Sequence, residues 1–228
     1  MTTFEALQTG LGARLGGAAG AWFAEATDEA VSSTRERLLQ LYTGVSRQLG
    51  HPPLALGMLS GFPPSTAAGL TVDHWTIEDA ARLAFLMARS ERMAPDEFAA
   101  DALACYELGD AREQQSWLKA VMLLPSPEHY LPYVIDACRT NILPQFEAVA
   151  CENPYPEQYF PERNFNQVVM KALFNKVSLA RIVGLARRAN AELARMATDF
   201  AAERRAAGRS VPDDIGLAMA GTATRTHV

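Results

Sequence analysis

Residues 110–125, DAREQQSWLKAVMLLP, read as one complete helix from start signal to stop. Asp110 opens it as a cap, and Glu113, three residues on, can reach back to the Asp110 amide. Trp117, Ala120, Val121 and Leu124 then recur at three- and four-residue intervals, which places them on one helical face. Pro125 lacks an N–H and stops the run.

The same grammar extends in both directions. Toward the N-terminus, Pro95 stands at a first helical position ahead of Asp96 and Glu97, and Gly109 ends that helix. Thr76 with Asp79 starts another. Ser33 to Glu36 reads as a capping box, followed by Leu38, Leu41, Tyr42, Val45 and Leu49, with Gly50 and Pro52–Pro53 as the stop. Thr2 with Glu5 opens the first helix, whose stripe is Phe4, Leu7, Leu11 and Leu15. Gly16, Gly17 and Gly20 loosen the chain before a short helix around Trp22 and Phe23. Residues 50–75 form the long irregular stretch. Leu54, Leu56, Met58, Leu59 and Phe62 there want burial, so it reads as a loop crossing the surface and not as a domain linker.

Toward the C-terminus, 127–141 and 142–151 read as shorter helices, with Pro132 and Pro144 near their starts. NPYPEQYFP, residues 153–161, reads as an ordered, non-helical elbow. Helices resume over 162–175, 178–189 and 191–207, the last capped by Asn190 and striped by Leu193, Met196, Ala197 and Phe200. Gly208 ends it, Pro212 opens a short final helix, and 221–228 reads as a frayed tail. Period-two runs of β-branched and aromatic residues are almost absent. The expected fold is therefore all-α: one domain over 1–228, less regular over 1–75 and a helical stack over 76–220. Its antiparallel helical hairpins would stack as in a HEAT-like α–α superhelix.

The 228 residues are 49% hydrophobic, enough for a real core. A net charge of −5 argues against nucleic acid, whose phosphates must be neutralised by cations. Three cysteines without a CxxC suit reduced, core-type thiols in the cytoplasm. No basic region precedes an apolar block near the start, and no apolar run is long enough to span a bilayer, so no secretion signal and no transmembrane segment are expected. A peripheral membrane contact stays open.

Residues 110–212 carry the most distinctive text: DAREQQSWLKAVMLL, ACRTN, ENPYPEQYFPERNFNQVVMKALFNKVSL and ELARMATDFAAERRAAGRSVP, in that order. This ordered set resembles the EboA family, a metabolite-traffic protein named after the ebo gene cluster. The positions within the family's pattern are Trp117, Thr140, Asn141, Asn153, Pro154, Phe160, Asn166, Gln167, Lys171, Arg195, Glu203, Arg204 and Arg209. Asn175–Lys176 departs from it, standing where a Gly is expected, although Asn tolerates the left-handed backbone of such a turn. The resemblance implies an all-helical protein acting beside small-molecule biosynthesis. Its partners would be the other proteins of the cluster or a hydrophobic, isoprenoid- or pigment-like precursor. It supplies a context and no reaction.

The candidate ligand-binding residues are Asn141, Asn153, Tyr155, Asn166, Gln167, Lys171, Glu203 and Arg204. Asn166, at the edge of an apolar arc, must find hydrogen-bond partners. It reads as a ligand anchor or, more simply, as an amide tying down the elbow. Lys171 could meet an anionic ligand or pair with Glu203. Arg204 continues the apolar stripe of the last long helix, where a guanidinium wants carboxylates, carbonyls or an anionic metabolite. Tyr155, Tyr159, Phe160 and Phe165 could wall an apolar pocket or simply fill the core. Residues 181–209 carry seven arginines against three acidic residues, more simply a solvated face than a nucleic-acid surface. His51, His74, His129 and His227 are scattered without ligand spacing, and no P-loop, GxSxG or GxGxxG occurs. No catalytic residue, metal or cofactor is therefore assigned. The leading reading is a non-catalytic binding or scaffolding protein. The alternative is an enzyme of unestablished type near residues 153–171, and a homodimer through residues 50–75 is a third option.

Overall fold

The computed structural model describes residues 2–54 and 68–220. Among these residues there are thirteen α-helices and no strand, as the all-α reading expects. The expectations for Leu56, Met58, Leu59 and Phe62, and for the tail from Gly221, lie outside the described residues. The chain divides into two compact units, Met1–Pro132 and Tyr133–Val228.

The first unit holds α1 (Thr3–Arg14), α2 (Gly17–Ser32), α3 (Arg35–Leu49), α4 (Ile77–Ser90), α5 (Pro95–Glu107) and α6 (Ala111–Ala120). The capping boxes read at Thr2/Glu5, Thr76/Asp79 and Asp110/Glu113 are all formed. At α3 the cap is Thr34 and not Ser33: the Thr34 side chain accepts from the Arg37 amide, while the Ser33 carbonyl accepts from Arg89. Helix α4 packs against α1, α2, α3, α5 and α6. Ala80, Ala81, Ala84 and Ala88 let these neighbours approach, and Leu83, Phe85 and Leu86 fill the space between them.

A helix enclosed on every side must bury its charges, and α4 buries four. Asp79 accepts from Ser116 Oγ (2.6 Å), Lys119 Nζ (2.7 Å) and the Thr76 amide (2.8 Å). Glu78 meets Ser46, Arg82, Arg112 and His51. Arg82 donates to the Tyr42 carbonyl, Ser46 and Ser116. Arg89 pairs with Asp101 at 2.5 Å and donates to the Ala30 and Ser33 carbonyls. Buried charges survive only when paired and hydrogen-bonded, and each of these is.

The second unit begins inside α7 (Leu131–Ala137). It continues through α8 (Leu143–Ala150), α9 (Tyr155–Tyr159), α10 (Glu162–Asn175), α11 (Leu185–Arg188), α12 (Ala191–Ala206) and α13 (Gly216–Met219). Helix α10 packs against α8 and α12 with a buried face of Phe165, Val168, Val169, Ala172 and Leu173. Its other side is open: Gln167 is exposed, and so is Phe174 at 63%.

Its C-terminus is a Schellman turn. The Val177 amide reaches the Ala172 carbonyl, and the Lys176 amide reaches that of Leu173. The left-handed residue is Lys176 (φ 60°, ψ 32°), one position beyond the asparagine expected to take it. Residues 178–189 do not form one helix. Gly184 breaks them at φ 75°, where any side chain would strike the Glu157 carboxylate.

Candidate functional site

The elbow is not wholly non-helical, because α9 occupies its middle. Asn153 Oδ1 accepts from the Tyr155 amide (3.0 Å), its Nδ2 donates to the Ala148 carbonyl (3.0 Å), and Pro156 sits in the first turn, where proline is tolerated. The helix is only five residues long, so several elbow carbonyls need outside donors. Arg188 supplies them. Its guanidinium donates to the carbonyls of Pro156, Glu157 and Phe160 and lies 4.7 Å from the centre of the Phe165 ring. Arg187 pairs with the Glu157 carboxylate. The clamp therefore comes from the short α11, and not from Asn166 and Arg204 on the two long helices.

Asn166 has a different task. It exchanges two hydrogen bonds with Asn190, at 2.9 and 3.1 Å, and Asn190 Oδ1 also accepts from the Leu193 amide. Asn166 thus orients the cap of α12. Tyr155 is fully buried against Phe160 and Tyr159.

Lys171 does not pair with Glu203, which is exposed. Its ammonium donates to the Cys138 and Thr140 carbonyls, each at 2.6 Å, and lies 5.2 Å from the Phe146 ring centre. Burial holds its pKa below the usual lysine value. Two carbonyls and a ring face leave this ammonium little to offer a ligand. A cleft of about 280 Å³ opens beside it, with Phe160, Asn164, Gln167 and Val168 among its walls. Of the sequence candidates, Gln167 and Lys171 meet here. Asn141 is exposed and does not line it, while Asn153, Asn166 and Tyr155 are committed to internal contacts.

A larger cleft, about 570 Å³, lies between the end of α10, the end of α12 and the segment 210–214. Its apolar walls are Leu173, Val177, Val211 and Pro212, and its polar lining includes Lys176, Arg204, Asp213 and Asp214. Asp214 is occupied: it accepts from Ser178 Oγ (2.9 Å) and the Leu179 amide (2.6 Å), which fixes one wall. Arg204 does not point into the core. It is half-buried, rests on the Phe200 ring with 5.6 Å between guanidinium carbon and ring centre, and donates Nε to the Ser210 carbonyl. Its two terminal nitrogens, the Lys176 ammonium and the Asp213 carboxylate have no hydrogen-bond or ion-pair partner among the described residues. Helical periodicity flagged Arg204 but missed the cleft, because Lys176 and residues 210–214 carry no local signal.

Three of the seven arginines of residues 181–209 are paired with acids. Arg181 pairs with Glu147 and Glu152, Arg187 with Glu157, and Arg195 with Glu192 and Asp199, while Arg188 serves carbonyls. The thiols of Cys105, Cys138 and Cys151 are buried, and burial pushes each pKa up to about 12. Among the described residues, no group of His, Cys, Asp and Glu could hold a metal ion, and no helix is long and apolar enough to cross a membrane.

A family model described as metabolite traffic protein EboA matches residues 3–220. No curated protein and no solved structure matches.

Proposed function

This chain belongs to the EboA family, and on that premise we propose that it is a non-catalytic helical protein that binds a small amphipathic metabolite in its C-terminal cleft. The supporting observation is the cleft of about 570 Å³, which combines an apolar wall with the Lys176 ammonium and the terminal nitrogens of Arg204, none of which has a hydrogen-bond or ion-pair partner among the described residues. That volume lies within the usual range for small-molecule sites, which join apolar linings to a few orienting polar groups. A hydrophobic precursor of secondary metabolism, handled in the cytoplasm, fits this chemistry. Consecutive helices α2–α3 and α5–α6 pack on one another, which supports the helical-hairpin part of the reading.

The enzyme alternative needs Asn166, Lys171, Glu203 and Arg204 around one substrate. Their placement lends it no support, since each has a different set of neighbours. Scaffolding of the cluster's enzymes is favoured by one feature. Phe174 is 63% exposed and stands edge-on to Phe200 with ring centres 4.8 Å apart, an apolar spot suited to a partner protein.

Titration calorimetry with short-chain amphiphiles tests the binding reading. A saturable, one-site isotherm is expected, abolished by Val177→Asp in the cleft wall and unchanged by Gln167→Ala in the smaller cleft. Absence of saturable binding by any amphiphile would overturn it. Co-purification with the neighbouring gene products, lost on Phe174→Ser, would move the weight to scaffolding.

A further inference from the structure

We infer that the C-terminal cleft is built for a phosphate-ester head group, with Arg204 and Lys176 as its two donors. This deepens the binding reading and rests on it. The side-on fork of Arg204 is closed, because Nε already serves the Ser210 carbonyl. The end-on pair of terminal nitrogens remains, and that geometry suits two oxygens of one oxyanion. The Phe200 ring lies under the guanidinium, 5.6 Å from its carbon, and holds it at the cleft. Lys176 lines the same cleft from the turn after α10.

The backbone adds a second observation at Lys176, one of three non-glycine residues with positive φ among the described residues. A position at φ 60° closing a Schellman turn suits glycine best, and a lysine there is conformationally disfavoured. The fold gains nothing visible from its ammonium, which has no partner among the described residues. A carboxylate head would satisfy the guanidinium alone, whereas a phosphate carries enough charge and enough oxygens for both donors. Of the two acids in the lining, Asp214 is engaged by Ser178 and Leu179, and Asp213 is exposed at the rim. Leu173, Val177, Val211 and Pro212 then receive the apolar body attached to the phosphate.

The test is calorimetry on the full chain with four probes: a short-chain alkyl phosphate, the matching alkanol, the matching carboxylate, and inorganic phosphate. Vesicles containing phosphatidic acid form a fifth arm, which separates a free phosphorylated metabolite from a lipid surface. The alkyl phosphate is expected to bind at least roughly tenfold tighter than the alkanol, since charge-assisted bonds exceed neutral ones by about that factor, and tighter than the carboxylate, which engages the guanidinium and leaves Lys176 without a partner. Inorganic phosphate is expected to compete weakly, and the vesicles not at all. Lys176→Gly and Arg204→Gln should each remove most of the preference for phosphate, and Asp213→Asn should strengthen it. Lys176→Gly relaxes the left-handed turn, so a loss of binding there is not a loss of fold. Equal binding of phosphate and alkanol overturns the phosphate assignment while leaving the cleft as a metabolite site. Binding of neither overturns both, and tight vesicle binding with no alkyl phosphate binding replaces the metabolite with a membrane.

Discussion

Replacing Lys119 by methionine tests whether buried charge pairs hold the first unit together. Lys119 is 6% exposed and Asp79 3%, with Nζ and Oδ2 2.7 Å apart. Removing the ammonium leaves the Asp79 carboxylate with Ser116 and the Thr76 amide as its remaining partners. An orphaned buried charge costs about 3–5 kcal/mol, a large share of the roughly 5–15 kcal/mol that stabilises a typical domain. Asp79→Asn should be similarly severe, because it strands the ammonium. The double variant Asp79→Asn/Lys119→Gln removes both charges while keeping size and a mutual hydrogen bond. Its cost should fall at least about 2 kcal/mol short of the sum of the two single losses. Urea unfolding of the four proteins measures this directly, provided the slope with denaturant stays constant. The pH dependence follows from the same contacts. Burial alone would raise the Asp79 pKa, but Lys119, Ser116 and the Thr76 amide outweigh it and hold the pKa below the ordinary 3.8. A depressed carboxylate contributes stability above its unfolded-state pKa and loses it as pH falls through the folded value. The wild type should therefore lose this increment below about pH 4, and the double variant should not. Single-variant losses under about 1 kcal/mol, or additivity within about 0.5 kcal/mol, would refute the reasoning.

Lys176→Gly should stabilise the protein by about 0.5–1 kcal/mol, the relief of a left-handed backbone less the extra freedom of glycine in the unfolded chain. At about 2–4 °C per kcal/mol for a chain of this size, the melting temperature should rise by a few degrees. A fall would mean that Lys176 holds the fold. Arg188→Met should cost roughly 2–4 kcal/mol in urea unfolding, because it strips the Pro156, Glu157 and Phe160 carbonyls of their donor and Phe165 of its cation. A loss near zero would show that water replaces the clamp freely. The three thiols, buried and with pKa near 12, should resist a disulfide reagent at neutral pH in the native state and react in denaturant. A fast native thiol would contradict the burial of the cysteine that carries it.

What could be read from sequence was local. Thr2/Glu5, Thr76/Asp79 and Asp110/Glu113 are three residues apart, and a cap needs only its own first turn, so the starts of α1, α4 and α6 stood in the text. The ion pair of Asp79 spans 40 residues, and nothing in residues 76–90 names Lys119 as its partner. Asp79 was legible as a cap and illegible as a buried charge. The elbow shows the same limit: its prolines suggested coil, while the Asn153 side chain starts a helix and a distant Arg188 completes it. Residues 181–209 carry seven arginines, and pattern alone did not distinguish Arg188, which serves the elbow carbonyls, from those paired to acids. Arg204 lay on a readable stripe, but the stripe predicted core contact, and the chain instead leaves its terminal nitrogens at a cleft formed with residues six to ten positions later.

The distribution of engaged and unengaged polar groups is what favours binding over catalysis. A catalytic group needs a perturbed pKa and an open face toward substrate. The perturbed carboxylate Asp79 is enclosed by donors, the cysteines are driven away from the reactive thiolate, and Lys171 is held by two carbonyls. Each perturbation is therefore explained by folding. The groups left over by folding are of another kind: Lys176, the terminal nitrogens of Arg204 and Asp213 are charged, near a common apolar wall, and unmatched among the described residues. Fixed charges beside an apolar surface can orient an amphipathic molecule by its head and its body. On the binding reading proposed above, that combination is what would hold a metabolite by its charged end and its apolar body together.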